Sequence, residues 1–138
     1  MSNIHRLLPV ATDITRPYWD AAAKNSLVIQ HCPACGKNQF YPRGFCISCL
    51  SPDIEWKECS GKGKIYTFTV NHRAPNPYME QKLPYVVAMI ELDEGTRMMT
   101  NIVDSPIAEV KIGKRVKVVF EKISETMSLP QFTLDPQG

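Results

Sequence analysis

The chain has 138 residues, 43% of them hydrophobic and 22% charged, with a formal net charge of +2, which suits one ordinary globular core or two very small ones and excludes a disordered chain. Its longest aliphatic run, residues 86–90, is far below the ~20 residues of a membrane-spanning helix. Six basic and five acidic side chains in residues 1–61, and ten and nine in residues 62–138, leave no basic half, which argues against a dedicated nucleic-acid binder.

The opening stretch MSNIHRLLPVATD lacks a signal-peptide apolar core, so the expected location is the cytoplasm. Residues 1–25 read as a helical lead-in, with Thr15 as N-cap, Pro17 in the first turn, and Trp19, Ala22 and Ala23 sharing one face up to Asn25. So short a helix is marginal alone, so its face is expected to dock on its own domain or to await a partner.

Residues 26–60 carry the strongest signal. Cys32 and Cys35 form one CxxC, and after ten intervening residues Cys46 and Cys49 form another. Two such knuckles, brought together at the base of a hairpin that begins with LVIQHC, offer the tetrahedral four-sulfur set that Zn(II) prefers. Disulfides are disfavoured in a cytosolic chain, and a redox CxxC is expected once, at a helix start. A rubredoxin-like site of this kind also holds iron, and spacing alone does not choose between the metals. With four thiolates and no open position, the one ion is structural, and it is expected to supply most of the ribbon's folding free energy. Cys59 lies outside the pattern and reads as a buried small hydrophobe, and His31 and Arg43 read as solvated side chains.

In residues 61–138 the prolines fall between apolar-alternating runs and punctuate strands. GKGKIYTFTVNHR is the first, with Tyr66, Phe68 and Val70 on one side and Thr67, Thr69 and Asn71 on the other. PYVVAMIELDEGTRMMTNIVD is a pair joined by a turn at Asp93, Glu94 and Gly95. Ser105 and Pro106 suit the N-cap and first turn of a short helical insert closed by Gly113. KRVKVVFEKI and LPQFTLD complete five strands, whose order matches a small closed barrel of the OB type. The expected fold class is therefore mainly β, with an N-terminal helix, a rubredoxin-like zinc ribbon and a five-stranded OB-fold barrel.

The combination of RPYWDAA, the CxxC/CxxC ribbon, the junction WKECSGKGKIYTFTV, and the stretches PYVVAMIELDEGTRM and IGKRVKVVF resembles the zinc-ribbon plus OB-fold family long labelled a domain of unknown function. The resemblance spans about residues 15–134 and matches the family's metal positions at Cys32, Cys35, Cys46 and Cys49. It implies a non-catalytic, acyl-CoA-associated partner of thiolase-like enzymes, and in some cases of hydratases or aldolases, in which barrel and lead-in contact the catalytic subunits and help shape a CoA passage.

Catalytic motifs are absent. His5, His31 and His72 sit in no nucleophile motif, GKGK at residues 61–64 is no dinucleotide or phosphate loop, and Asp93 and Glu94 read as turn residues. The segment best suited to recognition is the loop 72–84. There Arg73 and Lys82 are candidates for CoA phosphates, and Tyr78, Met79 and Tyr85 for the pantetheine arm or a partner's surface. The expected partners are a thiolase-like or hydratase-like enzyme and acyl-CoA, with self-association as a further option if an apolar patch is left bare. The rival function is a single-stranded nucleic-acid module that stacks bases on Tyr66 and Phe68.

Overall fold

The structure, a computed structural model, describes residues 8–74 and 76–136. Helix α1 spans Arg16–Ala23, with Pro17 in its first turn, where a missing N–H breaks no helical bond. Thr15 holds the N-cap position, but its hydroxyl accepts the Thr12 N–H at 2.8 Å and caps no helix N–H. The buried face is Tyr18, Trp19 and Ala22, while Ala23 is exposed. This corrects the expected face, because the stripe is centred on the i, i+4 pair Tyr18 and Ala22. The helix docks on its own chain, against the first ribbon strand and the last two barrel strands.

The ribbon is a three-stranded antiparallel sheet in which β1 (Val28–His31) lies between β2 (Asn38–Gln39) and β3 (Glu55–Glu58). β3 was not foreseen: Glu55, Lys57 and Glu58 are exposed and only Trp56 is half-buried, so the segment lacks the apolar alternation that marks a strand.

The five foreseen barrel strands are present as β4 (Lys62–Asn71), β5 (Tyr85–Leu92), β6 (Arg97–Ile102), β7 (Arg115–Lys122) and β8 (Ser128–Leu134). They close in the order β4-β5-β6-β8-β7, with β4 pairing β7 to complete the ring and β6–β8 the one parallel pair. Alternation is clean in β5, where Val86, Ala88, Ile90 and Leu92 point inward. In β4 it is broken by a bulge between Ile65 and Thr67. Gly63 and Ile65 are buried, Phe68 and Val70 pack partly against the core, and Tyr66 is exposed. Tyr66 and Phe68 therefore do not share a face as expected, because the extra residue of a bulge resets the period of two. The helical insert is a single 3-10 turn at Ile107–Glu109 with Pro106 at its cap. Ser105 does not cap it. Its hydroxyl donates to the Val103 carbonyl and accepts the Leu134 N–H at 3.1 Å, fastening the insert to β8.

One core runs through the ribbon and the barrel. It joins Tyr18 and Trp19 of α1, Leu27, Ile29 and Cys59 of the ribbon, and Ile65, Ile90, Val116 and Phe132 of the barrel. The ribbon's scarcity of aliphatics is met by sharing this core. Among the described residues no helix is long and apolar enough to cross a membrane.

Gly63 sits where β4 pairs with both β5 and β7. A Cβ there would stand 2.5 Å from the Glu91 carbonyl oxygen, a backbone atom that cannot yield without opening the seam. Gly63→Ala is expected to destabilise the chain by about 1–3 kcal/mol, read as a lower urea midpoint at unchanged slope; an unchanged midpoint would show that the seam relaxes freely.

Candidate metal centre and the adjoining groove

The sulfurs of Cys32, Cys35, Cys46 and Cys49 all lie within 4.8 Å of one another, with Cys32–Cys49 and Cys35–Cys46 each at 3.6 Å. The two knuckles are built alike. In the first, Cys32 N–H bonds to the Lys37 carbonyl and Gly36 N–H to the Cys32 carbonyl; in the second, Cys46 N–H bonds to Ser51 and Leu50 N–H to Cys46, all at 2.7–2.9 Å. The Cys49 and Ser48 N–H groups also point at the Cys46 sulfur, at 3.5 and 3.4 Å, and hold its thiol down to about 6. Four thiol ligands converging on one point, with backbone donors aimed at the Cys46 sulfur, fit a tetrahedral structural metal with no position left for water.

The ribbon is strapped to the barrel at the β5–β6 turn. Asn38 donates its side-chain N–H to the Glu94 carbonyl, and a Glu94 carboxylate oxygen accepts the Ser60 N–H at 3.0 Å. Arg115 grips Asp93 through two 2.9 Å bonds, which hold that carboxyl below its ordinary range. The acidic pair is thus turn chemistry with a fastening role. Cys59 is buried, and burial, followed by the Glu94 charge, pushes its thiol up to about 12, so it stays protonated and unreactive at neutral pH. His31 Nδ1 lies 2.7 Å from the Asn38 side-chain oxygen, His72 is exposed, and His5 lies outside the described residues.

Beside the ribbon, a groove of about 710 Å³ runs across the barrel wall. Tyr18 and Trp19 of α1, Phe40, Tyr41 and Arg43 of the ribbon, and Met89, Arg97 and Met99 of β5 and β6 contribute to it. Of the loop residues singled out from sequence, Met79 and Tyr85 line it. Residue 75, within that loop, lies outside the described residues. Asn76 caps the short helix α2 (Pro77–Glu80), its side-chain oxygen accepting the Met79 N–H at 2.9 Å, which holds Met79 in place. Lys82 lies 5.4 Å from the Tyr78 ring centroid and lines a smaller cavity of about 320 Å³ that shares Met79 and Tyr85 with the groove. Arg73 is exposed, and neither it nor Tyr78 lines either cavity. Arg43 and Arg97 were missed as site residues. Arg43 is fixed through its backbone by the buried Gln30, and Arg97 stacks at 3.8 Å on the exposed Tyr66 ring. The Trp19 indole N–H, in the groove's wall, is buried without an acceptor among the described residues.

Residues 19–55 match the family described as ChsH2, rubredoxin-like zinc ribbon domain, and residues 56–121 the family described as ChsH2, C-terminal OB-fold domain. A probable enoyl-CoA hydratase alpha subunit of Thermomonospora curvata is 37% identical over 83% of this chain, which spans only 35% of that subunit. A solved chain titled Ltp2-ChsH2(DUF35) aldolase superposes with a TM-score of 0.81 at 35% identity, covering 92% of this chain and 98% of that one. A DUF35 domain-containing scaffold protein of Methanocaldococcus jannaschii is 38% identical over 81% of this chain and 79% of its own. On these matches and on the ribbon and barrel that carry them, the chain belongs to the DUF35 domain-containing scaffold protein family.

Proposed function

We propose that this chain is a non-catalytic scaffold subunit of an acyl-CoA enzyme of hydratase, aldolase or thiolase type, and that it holds the CoA thioester in the groove beside its ribbon. The observation that carries the reading is the groove itself: an apolar wall rich in methionine and aromatic side chains, edged by Arg43 and Arg97, in a chain whose relatives are named as scaffolds and hydratase subunits. A pantetheine arm is flexible and largely apolar, and methionines adapt to it; the CoA phosphates suit guanidinium groups. Met79 and Tyr85 contact the arm, and Lys82, from the adjoining cavity, and Arg73, from the exposed loop, are within the same segment to assist at the phosphates, with Tyr78 ordering Lys82. Residues 26–60 serve as a rigid bracket, and residues 61–138 supply most of the groove wall that contacts the thioester. The metal is zinc, which a closed four-thiolate structural site prefers.

The test is calorimetric titration of acetyl-CoA and octanoyl-CoA into the zinc-loaded chain, alone and with the enzyme that co-purifies from native cells. Arg97→Gln is expected to weaken binding about tenfold, the loss of one charge-assisted hydrogen bond of ~1.5 kcal/mol. Absence of binding in both settings would refute the CoA assignment. The nucleic-acid alternative has weak support, since Tyr66 and Phe68 lie on opposite faces and Arg97 already covers the Tyr66 ring. Salt-dependent binding of mixed single-stranded DNA would revive it.

A further inference from the structure

The two metal knuckles share one backbone geometry but differ in what they show to solvent. In the first, the residues between the cysteines are Pro33 and Ala34, and the position after Cys35 is Gly36 at φ 77. In the second, Ile47 stands between the cysteines, and the position after Cys49 is Leu50 at φ 67. That is left-handed backbone, where glycine is at ease and a leucine is not. The leucine is 69% exposed, Ile47 57% and Phe45 47%, and residues 44–52 include no Asp, Glu, Lys or Arg. Folding gains little from three apolar side chains left about half exposed or more, one of them on disfavoured backbone.

The backbone beneath this ridge is held firmly. Buried Gln30 bonds the Arg43 carbonyl at 2.7 Å and N–H at 2.8 Å, and buried Gln39 bonds Gln30, the Phe45 carbonyl and the Ile47 N–H at 2.7–3.1 Å. A preformed apolar ridge is ordered before binding and so loses little entropy on docking. It is also continuous with the groove, because Tyr41 and Arg43, just ahead of Phe45, line the groove.

Resting on the scaffold reading above, we infer that the second metal knuckle, through Phe45, Ile47 and Leu50, is the surface on which this chain docks its acyl-CoA enzyme, so that the docked enzyme borders the mouth of the groove. The occupant follows from the layout of the relatives. The barrel family is described as a C-terminal domain, and the matched hydratase alpha subunit is so long that this chain spans 35% of it. The rest of that hydratase subunit then precedes the ribbon and reaches it through the stretch equivalent to residues 8–14. Here that stretch runs beside the ridge: Ile14 Cδ1 lies 3.5 Å from where a Cβ on Gly44 would stand, and Val10 and Ile14 are themselves exposed. An apolar ridge without a basic side chain suits a folded protein surface and not a polyanion.

The test uses the full chain, the double variant Ile47→Ser/Leu50→Gly, the single variant Phe45→Ser, and the hydratase-type or thiolase-type enzyme that co-purifies with the tagged chain, identified and purified in its own right. Leu50→Gly relieves the backbone, so the double variant is expected to keep its metal and melting temperature while its affinity for the enzyme falls at least tenfold and its affinity for octanoyl-CoA is unchanged. If the parent binds the enzyme and both variants bind it within twofold, the ridge is not the docking surface. If sedimentation shows a parent dimer that the variants break while enzyme binding persists, the ridge joins two copies of this chain and the inference is overturned. If the parent binds no such enzyme, the scaffold reading itself falls.

Discussion

Chelation of the metal is expected to unfold residues 28–58 and release α1, while β5 and β6 stay folded. The ribbon sheet has two strands of four residues and one of two, too few ladder bonds to stand alone. Its apolar side chains Leu27 and Ile29 look outward into the shared core and not into a core of the ribbon's own. What holds the knuckles together is the four-sulfur centre, and apparent free energies for such sites are roughly 10–16 kcal/mol in peptides at neutral pH. The barrel keeps Ile65, Val86, Ala88, Ile90, Met98 and Phe132 in mutual contact without the metal. Helix α1 bridges both parts, packing on β1 and on β7 and β8. With β1 gone its eight residues keep only the β7 and β8 face, too little to hold so short a helix. Hydrogen exchange with and without chelator should show protection lost across residues 16–58 and retained in Tyr85–Leu92 and Arg97–Ile102. Tryptophan emission should shift to the red, since both Trp19 and Trp56 sit in the part that opens. Simultaneous loss of β5 and β6 protection would show instead that ribbon and barrel form one cooperative unit. Cys32→Ser should behave as the chelated chain does.

Much of this architecture is written in local patterns. The cysteine spacing announces the four-sulfur site because each knuckle is a local turn, and the LDEG turn announces the β5–β6 hairpin because Gly95, at φ 89, supplies the conformation that the turn needs. Other features have no local pattern. β3 pairs with β1 through its backbone and leaves its charged side chains in water, so no alternation betrays it. The bulge beside Tyr66 depends on how β4 meets β5, and one residue of offset reassigns the faces of every residue after it. The groove draws on α1, the ribbon loop, β5, β6 and β8, segments far apart in sequence that barrel closure and the docking of α1 bring side by side. Arg43 looks like any solvated arginine until Gln30, itself buried in β1, is seen to hold its backbone at the groove's edge.

Phe132→Ala is expected to be the most damaging single substitution in the barrel core, at about 3–5 kcal/mol, and to act where the groove is formed. Phe132 is fully buried on β8, where it pairs with Val118 of β7 and with Ile102 of β6. The β6–β8 seam is the thinnest in the ring: one residue pair in register, with the Val103 N–H bonding the Phe132 carbonyl at 2.8 Å. Elsewhere strands are paired over three to eight positions. The Phe132 ring therefore supplies the packing that so short a ladder does not, and a cavity in its place leaves the seam held by little else. The same seam bounds the groove, because Thr100 and Asn101 of β6 and Leu129 and Pro130 of β8 line it. Local opening at β6–β8 should thus precede global unfolding and alter the groove first. Urea denaturation should give a lower midpoint, and exchange at the Val103 amide should accelerate more than at Ile90, whose β5 ladder is long on both sides. Equal acceleration at both amides would show that the barrel opens only as a whole, and a loss below about 1 kcal/mol would show that neighbouring side chains collapse into the space.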